Sequence, residues 1–458
     1  MARLDHTSHN IVQCQLRPKS HVAALGPLSS SMPFPSQNTP EPGHALWAAT
    51  AGKDKGRTCR GPKPTLRLAI LQQSYGRFGG AERLALSHFL QLRKMNVDVT
   101  LYYQGAISPG WAKRLDGHEI RPIPNGVAGN LSELTALSKF LKELGDFDRI
   151  IIHHHVEPVL ALYLSKLLGD KIIWYSGSVF ELAWEKFITG LDYRSISPTV
   201  RKTSAGFYGG TLSTLLLSNP FFDFAVPIAR AVDISTVRGY RRILANSSFL
   251  SRFLARAYKL KDNPRVVYPG PDPILEQLST QIISNEQDFM LAVGALIPLK
   301  NVEGIIQAAA TVPSAKVVIV GDGQERNKLK ELATRLAVPL EIRGSSIDEL
   351  VLAKIYSECK FLVHLSLYEP FGLTPVEAGL FSKPSIVTNR GGPPEIVVDG
   401  ETGYVVDPRD FKHVSSRMNE LLVNSSLRRD MGAKARRKVL ERFTLEKSAK
   451  TLLAEVED

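Results

Sequence analysis

From residue 66 onward, short apolar runs alternate with longer stretches whose apolar residues recur at helical spacing. Residues 66–71, 97–103 and 149–153 are runs of the first kind and read as strands. Helical spacing marks the stretch that ends near residue 94, and again residues 131–144. After Ala245-Asn246-Ser247 a basic helix is expected to run to Lys259. The alternation is cleaner further on, with strands at 289–293, 316–320, 340–343 and 361–365. Helices are expected between them, at 302–310, from the Gly321-Asp322-Gly323 turn to 336, and at 375–381, with a last one at 444–456. Strands alternating with helices predict mostly parallel sheets covered on both faces, with ligands at the carboxyl ends of the strands.

A chain of 458 residues predicts two domains, each with its own core, and the hinge is placed near 270–285. The expected units are a tail at 1–63, a first domain at 64–275, a second at 276–440 and a final helical segment at 441–458. Residues 1–63 are rich in Ser, Pro, His and Gly without periodicity and are expected to be disordered. They lack the apolar core of a signal peptide, and they also read as upstream sequence ahead of the true start.

Composition changes this picture little. Hydrophobic content of 43% and charged content of 22% are ordinary for a globular protein. Three cysteines, Cys14, Cys59 and Cys359, fit neither a metal motif nor a disulfide framework, so a reducing, cytoplasmic setting is expected. No uncharged apolar run reaches the length of a membrane span; the longest, 211–232, is interrupted by Asn219-Pro220, Asp223 and Pro227.

Charge adds more. The formal charge is +12, unevenly placed. Residues 1–63 hold eight Lys/Arg against three Asp/Glu, and residues 191–265 hold twelve against four. Such basic stretches attract nucleic acid, anionic lipid or phosphorylated acceptors. No nucleic-acid-binding motif accompanies these, so nucleic acid is not expected and a membrane surface is the favoured partner of 191–265.

The candidate chemistry sits after the 361–365 strand. Tyr368-Glu369-Pro370-Phe371-Gly372-Leu373-Thr374-Pro375-Val376-Glu377-Ala378-Gly379 sets two carboxylates around a glycine and a helix start. Thr374 is the expected N-cap, with Pro375 the first helical residue. The free amides and positive dipole of such a helix start suit a diphosphate. Thr374 and Glu377 also have the spacing of a capping box. Gly391-Gly392-Pro393-Pro394-Glu395 follows. Near the first strand, Gly76-Arg77-Phe78-Gly79-Gly80-Ala81-Glu82-Arg83 makes a strand, glycine loop and helix, without the spacing of a dinucleotide fingerprint.

These motifs resemble glycosyltransferase family 4, the "glycosyl transferases group 1". The likeness covers roughly 66–455 and is strongest over 289–410. It implies an α/β protein of GT-B architecture, two Rossmann-like domains facing across a cleft, with the last helix crossing back to the first domain. It implies retaining transfer of a hexose, of mannose or glucose type, from a GDP- or UDP-linked donor to a glycan or lipid-linked acceptor. By the same resemblance Glu369 contacts the transferred sugar and Glu377 the nucleotide ribose. Backbone amides at Phe371, Gly372, Leu373 and Thr374 hold sugar and phosphate, as do Gly79 and Gly80 across the cleft. Lys300 binds the diphosphate and neutralises charge on the leaving phosphate.

The resemblance also implies a histidine near the anomeric centre, and in the His153-His154-His155 run this is expected to be His155, with His153 as second choice. Strand alternation puts those two on one face. One departure stands out: the family's diphosphate-binding arginine is replaced by Ala295, with Arg77 or Arg343 as candidate substitutes. Asp146-Phe147-Asp148 imitates a metal-binding D-x-D but lies ahead of a strand in the wrong domain, so no metal and no cofactor are expected. Trp174 and Tyr175 could stack on acceptor sugars or pack in the core. Two alternatives stay open: a non-catalytic nucleotide-sugar-binding partner subunit, and a soluble sugar synthase of the same fold.

Overall fold

The computed structural model describes residues 66–73, 80–124, 131–178, 222–345 and 348–458, apart from positions 106, 108, 157 and 284. The expected tail at 1–63, Arg77, Gly79 and the 191–221 part of the basic stretch lie outside the described residues. All described residues belong to one unit, Cys59–Asp458.

Two parallel sheets organise that unit. The first orders its strands β3-β2-β1-β4-β5-β6-β7. These are β1 (Arg67–Gln72), β2 (Asp98–Tyr103), β3 (Ile120–Pro122), β4 (Arg149–His153), β5 (Ile172–Ser176), β6 (Arg242–Ala245) and β7 (Arg265–Val266). The second runs β10-β9-β8-β11-β12-β13. Its strands are β8 (Met290–Val293), β9 (Val317–Val320), β10 (Leu340–Ile342), β11 (Phe361–His364), β12 (Ser385–Thr388) and β13 (Gly403–Val406). Both sheets start in the middle, grow to one edge and then to the other. The order reverses between β1 and β4, and between β8 and β11. At such a switch point two neighbouring strands send their loops in opposite directions and leave a crevice.

The central strands of both sheets are buried on both faces, which is why they read as continuous apolar runs. Ala69 and Leu71 of β1 belong to one core cluster, and Leu68 and Ile70 to another. In the second sheet Met290 and Ala292 face one core, Phe289 and Leu291 the other. The chain leaves the first sheet after β7. Asp272 then caps helix Pro273–Gln281, accepting from the Ile274 N–H at 2.9 Å, before β8 begins. The final helix, Leu445–Glu457, packs on helix Gly80–Lys94, and its Leu452 and Val456 are buried in the first sheet's core. Arg242 of β6 holds Glu455 at 2.9 Å.

Candidate active site

Each switch point carries polar side chains. In the second lobe the β8 loop supplies Lys300 and the β11 loop supplies Glu369. Lys300 closes a short 3-10 turn, Pro298–Lys300, and Asn301 follows in the left-handed region at φ 50°. The Asn301 amide donates to the carbonyls of Leu365 and Pro408, so the Lys300 turn is pinned to the β11 loop. Lys300 Nζ lies 2.6 Å from Glu369 Oε2. His364, the last residue of β11, brings Nε2 to 3.1 Å from the same oxygen. Its Nδ1 is 3.1 Å from the Thr374 hydroxyl. Burial alone would raise the Glu369 pKa, but Lys300 and His364 outweigh it and hold the carboxyl at about 2. As a carboxylate it is suited to accept sugar hydroxyls and to stabilise positive charge on a sugar ring.

The Gly391–Gly392 pair beds this loop. Gly391 bridges to Glu369, and the Gly392 N–H donates to the Glu369 carbonyl at 2.8 Å. Gly391 has φ 109°, and a Cβ there would stand 1.9 Å from that carbonyl oxygen, so only glycine fits.

Helix Leu373–Leu380 starts earlier than the sequence suggests. Gly372, at φ 103°, is the N-cap, and Thr374 already lies inside the helix. Glycine takes that left-handed turn without steric cost, so the helix closes before Thr374 can cap it. The Thr374 hydroxyl goes to His364 instead. No capping box forms with Glu377. The Tyr356 hydroxyl donates to Glu377 Oε2 at 2.6 Å, and the Arg83 guanidinium lies 3.1 Å from Oε1. The Glu377 side chain is 1% exposed, so in this structure both oxygens that were expected to meet a ribose are engaged by protein.

Arg83 comes from the other lobe, in the first turn of helix Gly80–Lys94. Gly80 opens that helix, and a Cβ on it would lie 3.3 Å from the Leu373 side chain. The starts of two helices, one from each lobe, thus lie together. Their amides and dipoles form an electropositive seat suited to a diphosphate. Phe371 is buried in the second core, beside Gly372.

The first lobe's switch point carries the three histidines. The alternation expected of His153 and His155 fails because His154 has φ 62° and ends the strand geometry. His153 turns into the core, where its Nε2 meets His88 Nδ1 at 3.0 Å. Burial and the neighbouring His88 and His154 push its pKa well below the usual histidine range. It is therefore a neutral core residue, and the second choice for a catalytic histidine is removed. His155 lies on the other side, its ring 5.6 Å from Trp174. The His154 ring fills the space beside Gly177, 2.1 Å from where a Cβ would stand. Trp174 and Tyr175 are 2% and 1% exposed, so both pack in the core.

Ala295 is exposed on the β8 loop. Of its two candidate substitutes, Arg77 lies outside the described residues, and Arg343 has its Nε 2.7 Å from Glu341. Asp146 and Asp148 sit at the amino ends of the strands, where the Asp148 carboxylate takes the Arg67 N–H at 2.8 Å. Among the described residues no group of three or more acidic, His or Cys side chains has the arrangement of a metal site.

Sequence reasoning missed His364, Tyr356 and Arg83. Two of them left a signal. His364 is a polar residue inside the apolar 361–365 run, directly before the loop. Arg83 places a cation in the first turn of a helix, where the dipole opposes it, which calls for an anionic partner.

Two Rossmann-like sheets with facing switch points, and a lysine, a carboxylate and two helix starts between them, define a two-lobed nucleotide-sugar transferase architecture. The family model described as Glycosyltransferase Family 4 matches residues 78–274, and that described as Glycosyl transferases group 1 matches 276–438. The chain belongs to this group 1 / family 4 of glycosyltransferases, with the GT-B fold. An uncharacterized glycosyltransferase of Methanocaldococcus jannaschii is 33% identical over 177 residues, 38% of this chain and 48% of that one. The alpha-1,3/1,6-mannosyltransferase ALG2 of Dictyostelium discoideum is 25% identical over 436 residues, 84% of this chain and 97% of that one. The chain thus spans about half the length of the archaeal relative and nearly all of the second. The crystal structure of Anabaena Alr3699/HepE in complex with UDP-glucose superposes with a TM-score of 0.62 at 18% identity, covering 86% of this chain and 99% of that one. That likeness concerns the fold.

Proposed function

We propose that this protein transfers a mannosyl group from a nucleotide diphosphate donor to an acceptor hydroxyl, with retention at the anomeric carbon. The observation that carries the reading is the Lys300–Glu369–His364 cluster at the β8/β11 switch point. It stands beside the paired helix starts at Gly80 and Leu373. In this reading Lys300 and the helix starts take the diphosphate, and Glu369 meets the sugar. The leaving phosphate accepts the acceptor's proton on the face where the new bond forms, and no metal is expected. Mannose is favoured over glucose by the match along 97% of a mannosyltransferase.

A membrane-side, lipid-linked acceptor at the cytoplasmic face fits the basic stretch 191–265. It also fits Tyr163, Leu167, Ile228 and Val232, which are exposed on two helices, Pro158–Leu168 and Phe222–Arg238, that pack together. Among the described residues no helix is long and apolar enough to cross a membrane.

The test is incubation with labelled GDP-mannose, UDP-glucose and UDP-N-acetylglucosamine, offering a lipid-linked oligosaccharide fraction and soluble sugars. Transfer of mannose to the lipid fraction is expected, and its loss in Glu369→Gln. Transfer to soluble sugars alone would favour a soluble synthase. Ala295 supports a second reading, a partner subunit that binds donor without turnover; binding without transfer to any acceptor would favour it.

A further inference from the structure

Glu395 closes the Gly391-Gly392-Pro393-Pro394-Glu395 run, yet its carboxylate lies in the other lobe's helix start rather than at Lys300. Oε2 accepts from the Ser248 N–H at 2.9 Å, and Oε1 accepts from the Phe249 N–H at 2.7 Å. The Tyr268 hydroxyl donates to Oε2 at 2.8 Å. Ser248 and Phe249 open helix Ser248–Ala257, whose first amides have no acceptor within the helix. The helix's own cap, the Ser247 hydroxyl, takes only the Leu250 N–H, at 3.0 Å. Two of the three first-turn amides are therefore satisfied by the opposite lobe.

The same helix start makes a second grip. The Ser247 hydroxyl donates to the Pro370 carbonyl at 2.5 Å, one residue from Glu369. The Phe249 ring stands edge-on to Tyr368, 5.9 Å between centroids. Gly391 and Gly392, packed on Glu369 and Pro370, join the two grips on the second lobe. One helix end thus holds both sides of the loop that carries Glu369.

We propose that Glu395 is a positioning residue: it fastens the first turn of helix Ser248–Ala257 to the Glu369 loop and so sets how the two lobes meet for transfer. The proposal rests on the transfer reaction proposed above. Lys300 and helix Leu373–Leu380 keep their places within the second lobe, so losing the fastening weakens turnover more than it weakens donor affinity.

The experiment compares wild type, Glu395→Ala and Glu395→Gln in the full chain. Amide hydrogen exchange is read at Ser248, Phe249 and Leu250. Glu395→Ala should speed exchange at Ser248 and Phe249 at least tenfold and at Leu250 less than threefold. With GDP-mannose and the lipid-linked fraction, kcat should fall at least tenfold, while the dissociation constants of GDP and UDP rise less than threefold. Glu395→Gln keeps one carbonyl oxygen, so one of the two amides should stay protected and part of kcat return. Should the alanine variant not fold, the glutamine variant carries the test alone. Unchanged exchange at both amides, unchanged kcat, or nucleotide affinity falling in step with kcat would overturn the proposal. No transfer by wild type would instead sink the functional reading, and the exchange arm would still decide whether Glu395 fastens the lobes.

Discussion

At the scale of single residues, the site is a set of charges that correct one another. Lys300 and Glu369 pair at 2.6 Å, and a donor diphosphate has to draw the ammonium away from the carboxylate. Lys300→Met should therefore lower kcat by about 10²–10³-fold, the usual cost of removing one group that stabilises developing negative charge. Steady-state transfer assays check this, and a loss below tenfold would place the diphosphate elsewhere. Arg83 and Glu377 form a pair with side chains 14% and 1% exposed. Arg83→Met leaves the carboxylate buried without its cation and should cost about 3–5 kcal/mol of stability. Adding Glu377→Gln should recover most of that in urea unfolding, because no charge is then stranded. The Glu369–Gly372 motif stood out in the sequence because it is local, and Lys300 was singled out only through the family likeness. The engagement of Glu377 was not legible, because Arg83 lies almost 300 positions away and only the fold brings it near.

At the scale of elements, strands buried on both faces announce themselves as apolar runs, and their edges shift by a residue or so. Helix starts were harder. Gly372 displaced Thr374 as a cap because backbone freedom, rather than hydroxyl chemistry, decided where the turn closes. Helix Phe222–Arg238 was hidden by Asp223 and Pro227, which read as interruptions; proline removes a helical bond without always ending the helix. The strand order, which makes the switch points, is a matter of long-range pairing that no local pattern encodes. The last helix, Leu445–Glu457, was legible as a helix, and its docking on the first lobe came only with the family likeness. Leu452 is fully buried in that lobe's core, so Leu452→Ala should cost about 2–5 kcal/mol in spite of its place near the chain's end. Chemical denaturation measures this, and a cost under 1 kcal/mol would mean the helix is only loosely docked.

At the scale of the whole molecule, the final helix and the first lobe share a buried polar contact. His88 Nε2 is 2.8 Å from the Ser448 hydroxyl, and its Nδ1 faces His153. Burial lowers the His88 pKa to about 3 from an unfolded value of 6.5. Between those values the unfolded chain takes up a proton and the folded chain does not. Stability should be full above pH 6.5 and fall as pH drops toward 3, by about 1.4 kcal/mol per pH unit for each histidine kept neutral. Urea unfolding at pH 7.5, 6 and 5 checks this, and a flat profile would contradict it.

The central claim is a nucleotide-sugar site built between the two lobes, and it is tested most directly by thermal unfolding of the full chain with GDP-, UDP- and ADP-sugars, without added metal. One nucleotide class at about 100 times its dissociation constant should add about 2.7 kcal/mol of stability. Lys300→Met should lose most of that gain. No shift with any of the donors would contradict the account, since the facing helix starts and Lys300 would then hold no diphosphate.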